Sequence, residues 1–475
     1  MINNLKRREF LQVTSGCALC LGAARTFSFP SEARSLAIVS PGCIKSKVRV
    51  AKIYSGIPNA LWPTPLMDLN AEMLKYEDAF SRMKKDFADI EFVANRLVTR
   101  PEQVAELTDQ VERTDGILVI HLSMGITGMI GEILKATRPT MIFAAPYSGH
   151  EWTSFGTLMK SKDGALLDCI LSSNFNDLAA AVRPFRAIHH LREAKIINVS
   201  TNAPTAQYLK SVSDKFGTEI KTVGVEPIMQ SYNSIDNAAA EAETARWIKQ
   251  AEKVVEPPRD EIFRSAKLAL AFERLLADEQ ATVITVDCYG SMYRKLPAFP
   301  CVGNVRLNDM GLGGICESDL SSALTHVLLQ GLTGKPGFIS DPTMDESVKG
   351  IILAHCLGSL KMDGPDGPAA PYKLRTIMER QEGCVPQVTM RVGQKVTQLR
   401  FVGVDLIRHF TGRIIEVPDT EKGCRTKITV EIDGDPQKLW QNWADGLHRQ
   451  TVYGDITPDL KRFARFKDVK LLYEA

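Results

Sequence analysis

Two hydrophobic patterns alternate along the chain from residue 35 to about residue 332. Runs of apolar residues are typical of parallel strands buried on both faces, and apolar residues at helical spacing are typical of helices packed on a sheet. The runs predict strands at 36–39, 90–93, 116–122, 140–144, 196–199, 220–225 and 282–286. The helical spacing predicts helices at 70–87, 101–111, 206–216, 238–252, 261–278 and 320–332. This alternation predicts an α/β layer structure with parallel sheets.

The pattern changes after about residue 385, where apolar and polar residues alternate one by one. It predicts strands at 387–392, 396–402, 412–417 and 426–432, with Gly or Asp between them. A short helical stretch at 437–446 then leads to His448 and the final segment. Such alternation is typical of an antiparallel sheet or a small barrel.

These changes divide the chain into four predicted parts. They are a leader at 1–33, an N-terminal α/β domain at 34–170, a central α/β domain at 171–350 and a C-terminal β-rich domain at 351–475. The predicted fold class is therefore α/β, with two Rossmann-like domains followed by an antiparallel, barrel-like domain. The final segment is expected to return towards the α/β cleft.

The predicted leader carries two adjacent arginines. Arg7 and Arg8 precede Phe10 and Leu11, and a weakly apolar stretch follows at 13–24. This order resembles a bacterial twin-arginine export signal, with an amphipathic first helix as the alternative. The stretch is too short to span a bilayer. The resemblance implies the twin-arginine translocation machinery as a partner, a periplasmic or otherwise exported location, and no membrane association after export.

Composition and charge exclude several classes of protein. Hydrophobic residues make up 44% and charged residues 24% of the 475 residues, which excludes a disordered, collagen-like or coiled-coil chain. Lys and Arg number 58 against 56 Asp and Glu, so no excess of positive charge favours nucleic-acid binding. Ten cysteines are too few for a disulfide scaffold. The one Cys-x-x-Cys spacing, Cys17 to Cys20, lies in the predicted leader, so no structural zinc is expected.

Glu317 and Asp319 follow a glycine-rich segment at 311–314 and precede the predicted helix at 320–332. Glycines before a helix can hold a phosphate group, but this segment matches neither a Walker loop nor a dinucleotide fingerprint. Acidic residues at a helix start often only complement the helix dipole. Taken alone, the segment therefore favours a structural role.

Three further residues carry groups that could bind a metal or move a proton. Asp341 ends a short predicted strand, although Asp before Pro is also a common turn former. His448 lies in the final segment, where a lone histidine is more often a surface residue or one with satisfied hydrogen bonds than a ligand. His355 lies in an apolar stretch, where a buried, hydrogen-bonded histidine is the usual case. Each residue alone is explained without chemistry.

Together, three of these residues resemble the motif of the L-fucose isomerase family, which is related to the L-arabinose isomerases. Glu317 opens a helix, Asp341 follows after 23 residues, and His448 precedes a Tyr-Gly pair near the end of the chain. The resemblance covers about 282–341 and 445–459. It implies that Glu317, Asp341 and His448 bind one divalent metal ion, with Mn2+ as the first choice. Two carboxylates and an imidazole suit such an ion and leave positions for two sugar oxygens.

The resemblance also implies a reaction. It predicts a metal-dependent aldose–ketose isomerase that acts on a monosaccharide or a modified sugar through an enediol, with Glu317 and Asp341 sharing the roles of acid and base. It implies a homo-oligomer, either a trimer or a hexamer. The alternatives are an exported sugar-binding protein, which two Rossmann-like lobes also describe, and another metal-assisted carbohydrate enzyme such as a lyase or an aldolase.

Overall fold

The computed structural model describes Gly42 and residues 45–475. The predicted leader and the predicted strand at 36–39 lie outside these residues. All of these described residues belong to one compact unit. Within the described part of the chain, no helix is long and apolar enough to cross a membrane.

The first layer is a five-stranded parallel sheet with helices on both faces. Its strands are β1 (Val48–Ser55), β2 (Ile90–Val98), β3 (Gly116–His121), β4 (Thr140–Ala144) and β5 (Leu167–Leu171). The helices in this region are α1 (Leu69–Arg82), α2 (Pro101–Ala105), α3 (Thr108–Val111), α4 (Thr127–Leu134) and α5 (Trp152–Leu158). The strand order is β2-β1-β3-β4-β5. Two apolar clusters cover the two faces of this sheet.

Strand β1 has no counterpart in the hydrophobic pattern, because Arg49 and Lys52 interrupt its apolar residues. Lys52 is nevertheless buried, with its Nζ 2.7 Å from Glu77 Oε1 and 4.2 Å from the centre of the Phe80 ring. A carboxylate and an aromatic face thus compensate the buried ammonium group. The long stem of a lysine can occupy a central strand in this way.

The second layer is a four-stranded parallel sheet. This part of the chain contains α6 (Leu178–Glu193), β6 (Lys195–Val199), α7 (Ala206–Phe216), β7 (Glu219–Val223), α8 (Glu226–Ser234), α9 (Asn237–Gln250), β8 (Lys253–Val254), α10 (Arg259–Asp278), β9 (Val283–Val286), α11 (Cys301–Asp309), β10 (Gly313–Cys316) and α12 (Leu320–Thr333). The sheet order is β10-β9-β6-β7, and every pair is parallel. The predicted strands at 196–199, 220–225 and 282–286 are confirmed.

The third layer is a closed barrel of six antiparallel strands. The remaining elements are β11 (Phe338–Asp345), β12 (Gly350–His355), β13 (Tyr372–Arg375), β14 (Val385–Val388), β15 (Lys395–Val402), β16 (Leu406–Glu416), β17 (Thr426–Ile432), α13 (Pro436–Asn442), β18 (Arg449–Tyr453), α14 (Thr457–Lys467) and β19 (Lys470–Tyr473). The barrel order is β15-β18-β11-β12-β17-β16, and β16 pairs with β15 to close it. Apolar side chains such as Phe338, Leu353 and Phe410 fill its core. The prediction of a barrel-like domain is confirmed.

The barrel begins earlier in the chain than the change of pattern at 385 indicates. Its first two strands, β11 and β12, precede that change, and β11 also precedes the predicted boundary at 351. Helix α12 packs between the second sheet and the barrel, and its residues from Ser322 to Leu332 are all buried. Because α12 contacts β9, β10, β15 and β18, it fixes the second sheet against the barrel. The number and bounds of the domains stay predictions.

Candidate metal site

Four polar side chains meet where the second sheet ends and the barrel begins. Glu317 follows β10, in the position beyond the carboxyl end of a parallel strand where ligands commonly bind. Asp341 lies on β11, His355 ends β12 and His448 immediately precedes β18. The strand register brings them together. Asp341 on β11 pairs with Ala354, the chain neighbour of His355, and Ser340 on β11 pairs with Arg449, the chain neighbour of His448. Three neighbouring strands therefore present their polar residues at one end of the barrel.

Glu317 has a left-handed backbone conformation, with φ at 63°, and Ser318 follows with φ at 57°. Non-glycine residues rarely adopt this conformation, and those that do cluster at functional sites. The Ser318 hydroxyl donates a hydrogen bond to Asn198 Oδ1, which anchors the turn to β6. The turn therefore holds the Glu317 carboxylate away from the helix that begins three residues later.

The acidic and imidazole groups converge within contact distance. His448 Nε2 lies 3.2 Å from Asp341 Oδ1 and 3.5 Å from Glu317 Oε2. His355 Nε2 lies 3.6 Å from Glu317 Oε1. The side chains of Glu317 and Asp341 are each 33% exposed, whereas that of His448 is 7% exposed and that of His355 is 2% exposed. The carboxylates therefore face an accessible space, and the imidazoles form its inner wall.

A carboxylate behind His448 fixes the orientation of its ring. Asp319 Oδ2 lies 2.9 Å from His448 Nδ1 and 2.6 Å from Arg400 Nη1. Burial by itself would lower the pKa of His448, but Asp319 and Asp341 outweigh it and raise the pKa to about 9. Burial would raise the pKa of Asp319, but His448 and Arg400 outweigh it and hold the pKa well below its usual range. With Nδ1–H donated to Asp319, Nε2 is the ring atom that faces the site.

Asp319 also begins helix α12. Its side chain accepts a hydrogen bond from the backbone N–H of Ser322, which makes it the N-cap of the helix. The simpler explanation of Asp319 is therefore confirmed, and the same carboxylate supports His448. Glu317 lies before the N-cap, so it is not a first-turn residue of α12.

His355 is the residue of this site that the sequence did not single out as a ligand. Its ring lies 5.5 Å from that of His448, at an interplanar angle of 71°. His355 Nδ1 is buried and has no hydrogen-bond partner among the described residues. Metal-binding histidines usually donate their second N–H to a fixed acceptor, as His448 does and His355 does not. His448 is therefore the better prepared of the two as a metal ligand.

The donor set fits a divalent cation. Glu317, His355 and His448 each offer one ligand atom, and these atoms lie within 4.8 Å of one another. Asp341 Oδ1 and His448 Nε2 are both buried and lie 3.2 Å apart. Neither atom has a hydrogen-bond partner among the described residues, because the geometry between them does not suit a hydrogen bond. Neighbouring ligands of one ion, each about 2.0–2.2 Å from it, are separated by roughly this distance. The structure thus brings Glu317, Asp341 and His448 together, and their role as metal ligands stays a prediction.

The glycine-rich segment has a packing role. Gly313 and Gly314 lie within β10, not in a loop before the helix. A Cβ atom on Gly314 would lie within 3.0 Å of three backbone atoms of Asn304 in α11. These glycines let a helix approach the strand closely, which agrees with the structural role that the sequence favours for this segment.

Comparisons with known proteins point to sugar isomerases. The chain is 22% identical over 308 residues to a sulfoquinovose isomerase from Alkalicoccus urumqiensis, which covers 59% of this chain and 66% of the relative. It is 23% identical over 297 residues to a sulfoquinovose isomerase from Clostridium sp. (strain MSTE9), which covers 59% of this chain and 64% of the relative. The chain thus matches just under two thirds of the length of these relatives. No family model matches the chain.

Proposed function

We propose that this protein is a metal-dependent aldose–ketose isomerase. The observation that carries the proposal is the convergence of Glu317, Asp341 and His448 at one end of the barrel, although 131 residues separate Glu317 from His448. Two accessible carboxylates beside a buried, oriented imidazole are what a sugar-binding metal site needs. The likeness to two sulfoquinovose isomerases supports the same reaction class.

Glu317, Asp341 and His448 would hold the metal ion, with Mn2+ as the first choice. When bound, the ion supplies a Lewis acid for the two neighbouring oxygens of the sugar. Isomerisation through an enediol also needs a group that removes a proton from one carbon and returns it to the next. Glu317 and Asp341 are partly exposed at the site, so each can reach a bound sugar. The structure offers both carboxylates for the acid and base roles.

The comparisons support a choice of sugars to test. Sulfoquinovose is the first sugar to test, because the two relatives bear its name. L-fucose is the second, because the motif of Glu317, Asp341 and His448 resembles the L-fucose isomerases. Export by the twin-arginine route and assembly into a trimer or a hexamer are further parts of the proposal.

The experiment follows the sugar by NMR in buffer that contains Mn2+ and no nicotinamide. The expected result is an aldose–ketose mixture of constant mass that reaches the same ratio from either side. In D2O, an enediol route incorporates solvent deuterium at the carbon that receives the proton. Failure to interconvert any sugar of a panel that includes sulfoquinovose and L-fucose would overturn the proposal.

Two other functions give different results in the same assay. A sugar-binding protein would bind its sugar with full affinity after treatment with a chelator and would not convert it. A lyase or an aldolase would release products whose masses differ from that of the substrate. Metal content and product mass therefore separate the three functions.

A further inference from the structure

A second cluster of ligating side chains lies behind His355. Cys356, Glu379 and Cys424 each offer a ligand atom, and the three atoms lie within 4.8 Å of one another. The Cys424 thiol donates a hydrogen bond to Glu379 Oε1 at 2.9 Å. The Tyr289 hydroxyl lies 3.7 Å from Cys356 Sγ and donates to Glu379 Oε2 at 3.4 Å. Two thiols, a carboxylate and a phenol therefore share one small space.

The cluster joins segments that are distant in the sequence. Cys356 follows the end of β12, Glu379 lies between β13 and β14, and Cys424 lies just before β17. The two cysteines are 68 residues apart, so no Cys-x-x-Cys spacing marks them. Cys356 is 4% exposed, but Cys424 is half-buried and Glu379 is exposed. The group is therefore assembled inside the fold and still open to solvent on one side.

We propose that Cys356, Cys424 and Glu379 form a second metal site, which binds a soft divalent cation such as Zn2+. Two thiolates and one carboxylate make a set that favours zinc over manganese or magnesium. Zinc in a tetrahedral site holds two sulfurs roughly 3.8 Å apart. Small rotations of the cysteine side chains would therefore bring both sulfurs to ligand distance from one ion. The fourth position stays open to water or to the Tyr289 hydroxyl. The site differs from the first one, which contains no sulfur.

The two sites share two short segments of backbone. His355 faces Glu317, and the next residue, Cys356, belongs to the thiol cluster. Cys288 receives a hydrogen bond from the backbone of Glu317, and the next residue, Tyr289, contacts Cys356. A cation held by the thiol cluster would therefore restrain both segments. We expect it to raise the melting temperature of the protein and to fix the inner wall of the first site.

The test uses Co2+ as a spectroscopic substitute for Zn2+, added to the full chain after reduction. A Cys17→Ser/Cys20→Ser background removes the one Cys-x-x-Cys pair of the sequence. The expected result is a thiolate-to-cobalt charge-transfer band that saturates near one equivalent and disappears when Zn2+ is added. Cys424→Ser, at a half-buried position, should abolish the band and the rise in melting temperature with Zn2+. Glu379→Gln should weaken Co2+ binding at least tenfold.

Two control variants keep this result separate from the proposed isomerase site. Cys169→Ser removes another half-buried thiol and should leave the band unchanged. His448→Ala should also keep the band, because the first site contributes no sulfur. Absence of a band in the reduced protein, a band that survives Cys424→Ser, or a Cys356–Cys424 disulfide that persists through reduction would overturn the proposal. None of these outcomes depends on isomerase activity.

Discussion

Glu317 is held by its own backbone in a position that a regular helix start would not provide. The left-handed conformation of Glu317 and Ser318, with the anchor to Asn198, aims the carboxylate at His448 and His355. An asparagine or glycine would adopt this conformation more easily, so the glutamate is present at a conformational cost. The cost is consistent with a carboxylate that is needed at this point.

Replacement of Glu317 by glutamine keeps the shape of the side chain and removes its negative charge and its capacity to accept a proton. We expect turnover to fall by about 10²–10⁴-fold, the usual contribution of acid–base catalysis. The measurement is the steady-state rate of aldose–ketose conversion in saturating Mn2+. Glu416→Gln, at an exposed position on β16, is the matched control and should keep full activity. Equal rates in the two variants would show that Glu317 takes no part in the reaction.

If His448 binds the proposed metal ion, its raised pKa should make that binding depend on pH. Below its pKa of about 9 the imidazole carries a proton in the metal-free protein, and a metal can use Nε2 only after that proton leaves. Affinity for Mn2+ should therefore rise roughly tenfold per pH unit between pH 7 and about 9 and then level off. Calorimetric titration at several pH values measures this slope. An affinity that is flat over this range would contradict the assignment of His448 as a ligand.

Asp319→Asn isolates the cause of that dependence. Asparagine is as good an N-cap as aspartate, so helix α12 should begin at the same residue. The loss of the negative charge should lower the pKa of His448, and affinity for Mn2+ should level off at a lower pH than in the parent protein. NMR titration of His448 in the metal-free protein measures the pKa directly.

The sequence predicts that Glu317, Asp341 and His448 meet, but not the contacts that His355 and Asp319 make with them. Glu317, Asp341 and His448 were recognisable because their spacing resembles that of a known family. The position of His355 beside Glu317 was not predictable, because it depends on the register that pairs β12 with β11. Asp319 was predicted as a helix start, and its contact with His448 depends on the antiparallel pairing of β18 with β11.

At the scale of elements, the approach of α11 to β10 depends on a missing side chain. Gly314→Ala places a methyl group against the backbone of Asn304, which cannot move as a flexible side chain can. We expect a loss of about 1–3 kcal/mol in the free energy of unfolding, as for other overpacked cores. Gly156→Ala in α5 is the control, because the added group has no neighbour within 4 Å beyond the adjacent residues and the backbone of its own helix. It should be neutral or stabilising by up to about 1 kcal/mol. Chemical denaturation of both variants measures the difference.

Helices and strands with a strong hydrophobic pattern were predicted well. Elements whose buried charges are balanced by residues elsewhere in the fold were not. The helix at 206–216 and the strands at 140–144 and 426–432 agree with the structure at both ends. The predicted helix at 101–111 is divided into α2 and α3. Strand β1 was not predicted, because Lys52 can be buried in it only through an ion pair with a residue on helix α1. Such tertiary compensation cannot be read from a local pattern.

At the scale of the whole molecule, the candidate metal site connects two layers. Glu317 directly follows strand β10 of the second sheet, whereas Asp341 and His355 lie on barrel strands and His448 immediately precedes one. An ion that binds only the folded state should stabilise it, by about 2.7 kcal/mol at a free concentration 100 times its dissociation constant. We therefore expect Mn2+ to raise the melting temperature and a chelator to reverse the effect. The shift should be much smaller in His448→Ala. An unchanged melting temperature in millimolar Mn2+ would argue against a site that links the layers.

The closure of the barrel has a consequence for how the chain folds. Strand β18 completes the barrel between β11 and β15, and Phe338 pairs with Thr451, 113 residues further along the chain. Closing such a long loop lowers the entropy of the chain before any contact offsets that loss, so these non-local pairs form slowly. The parallel sheet of β1 to β5 pairs strands that are much closer in sequence and can form first. A refolding chain should therefore regain secondary structure well before it can bind an ion, and recovery of metal binding is the sensitive measure of native assembly.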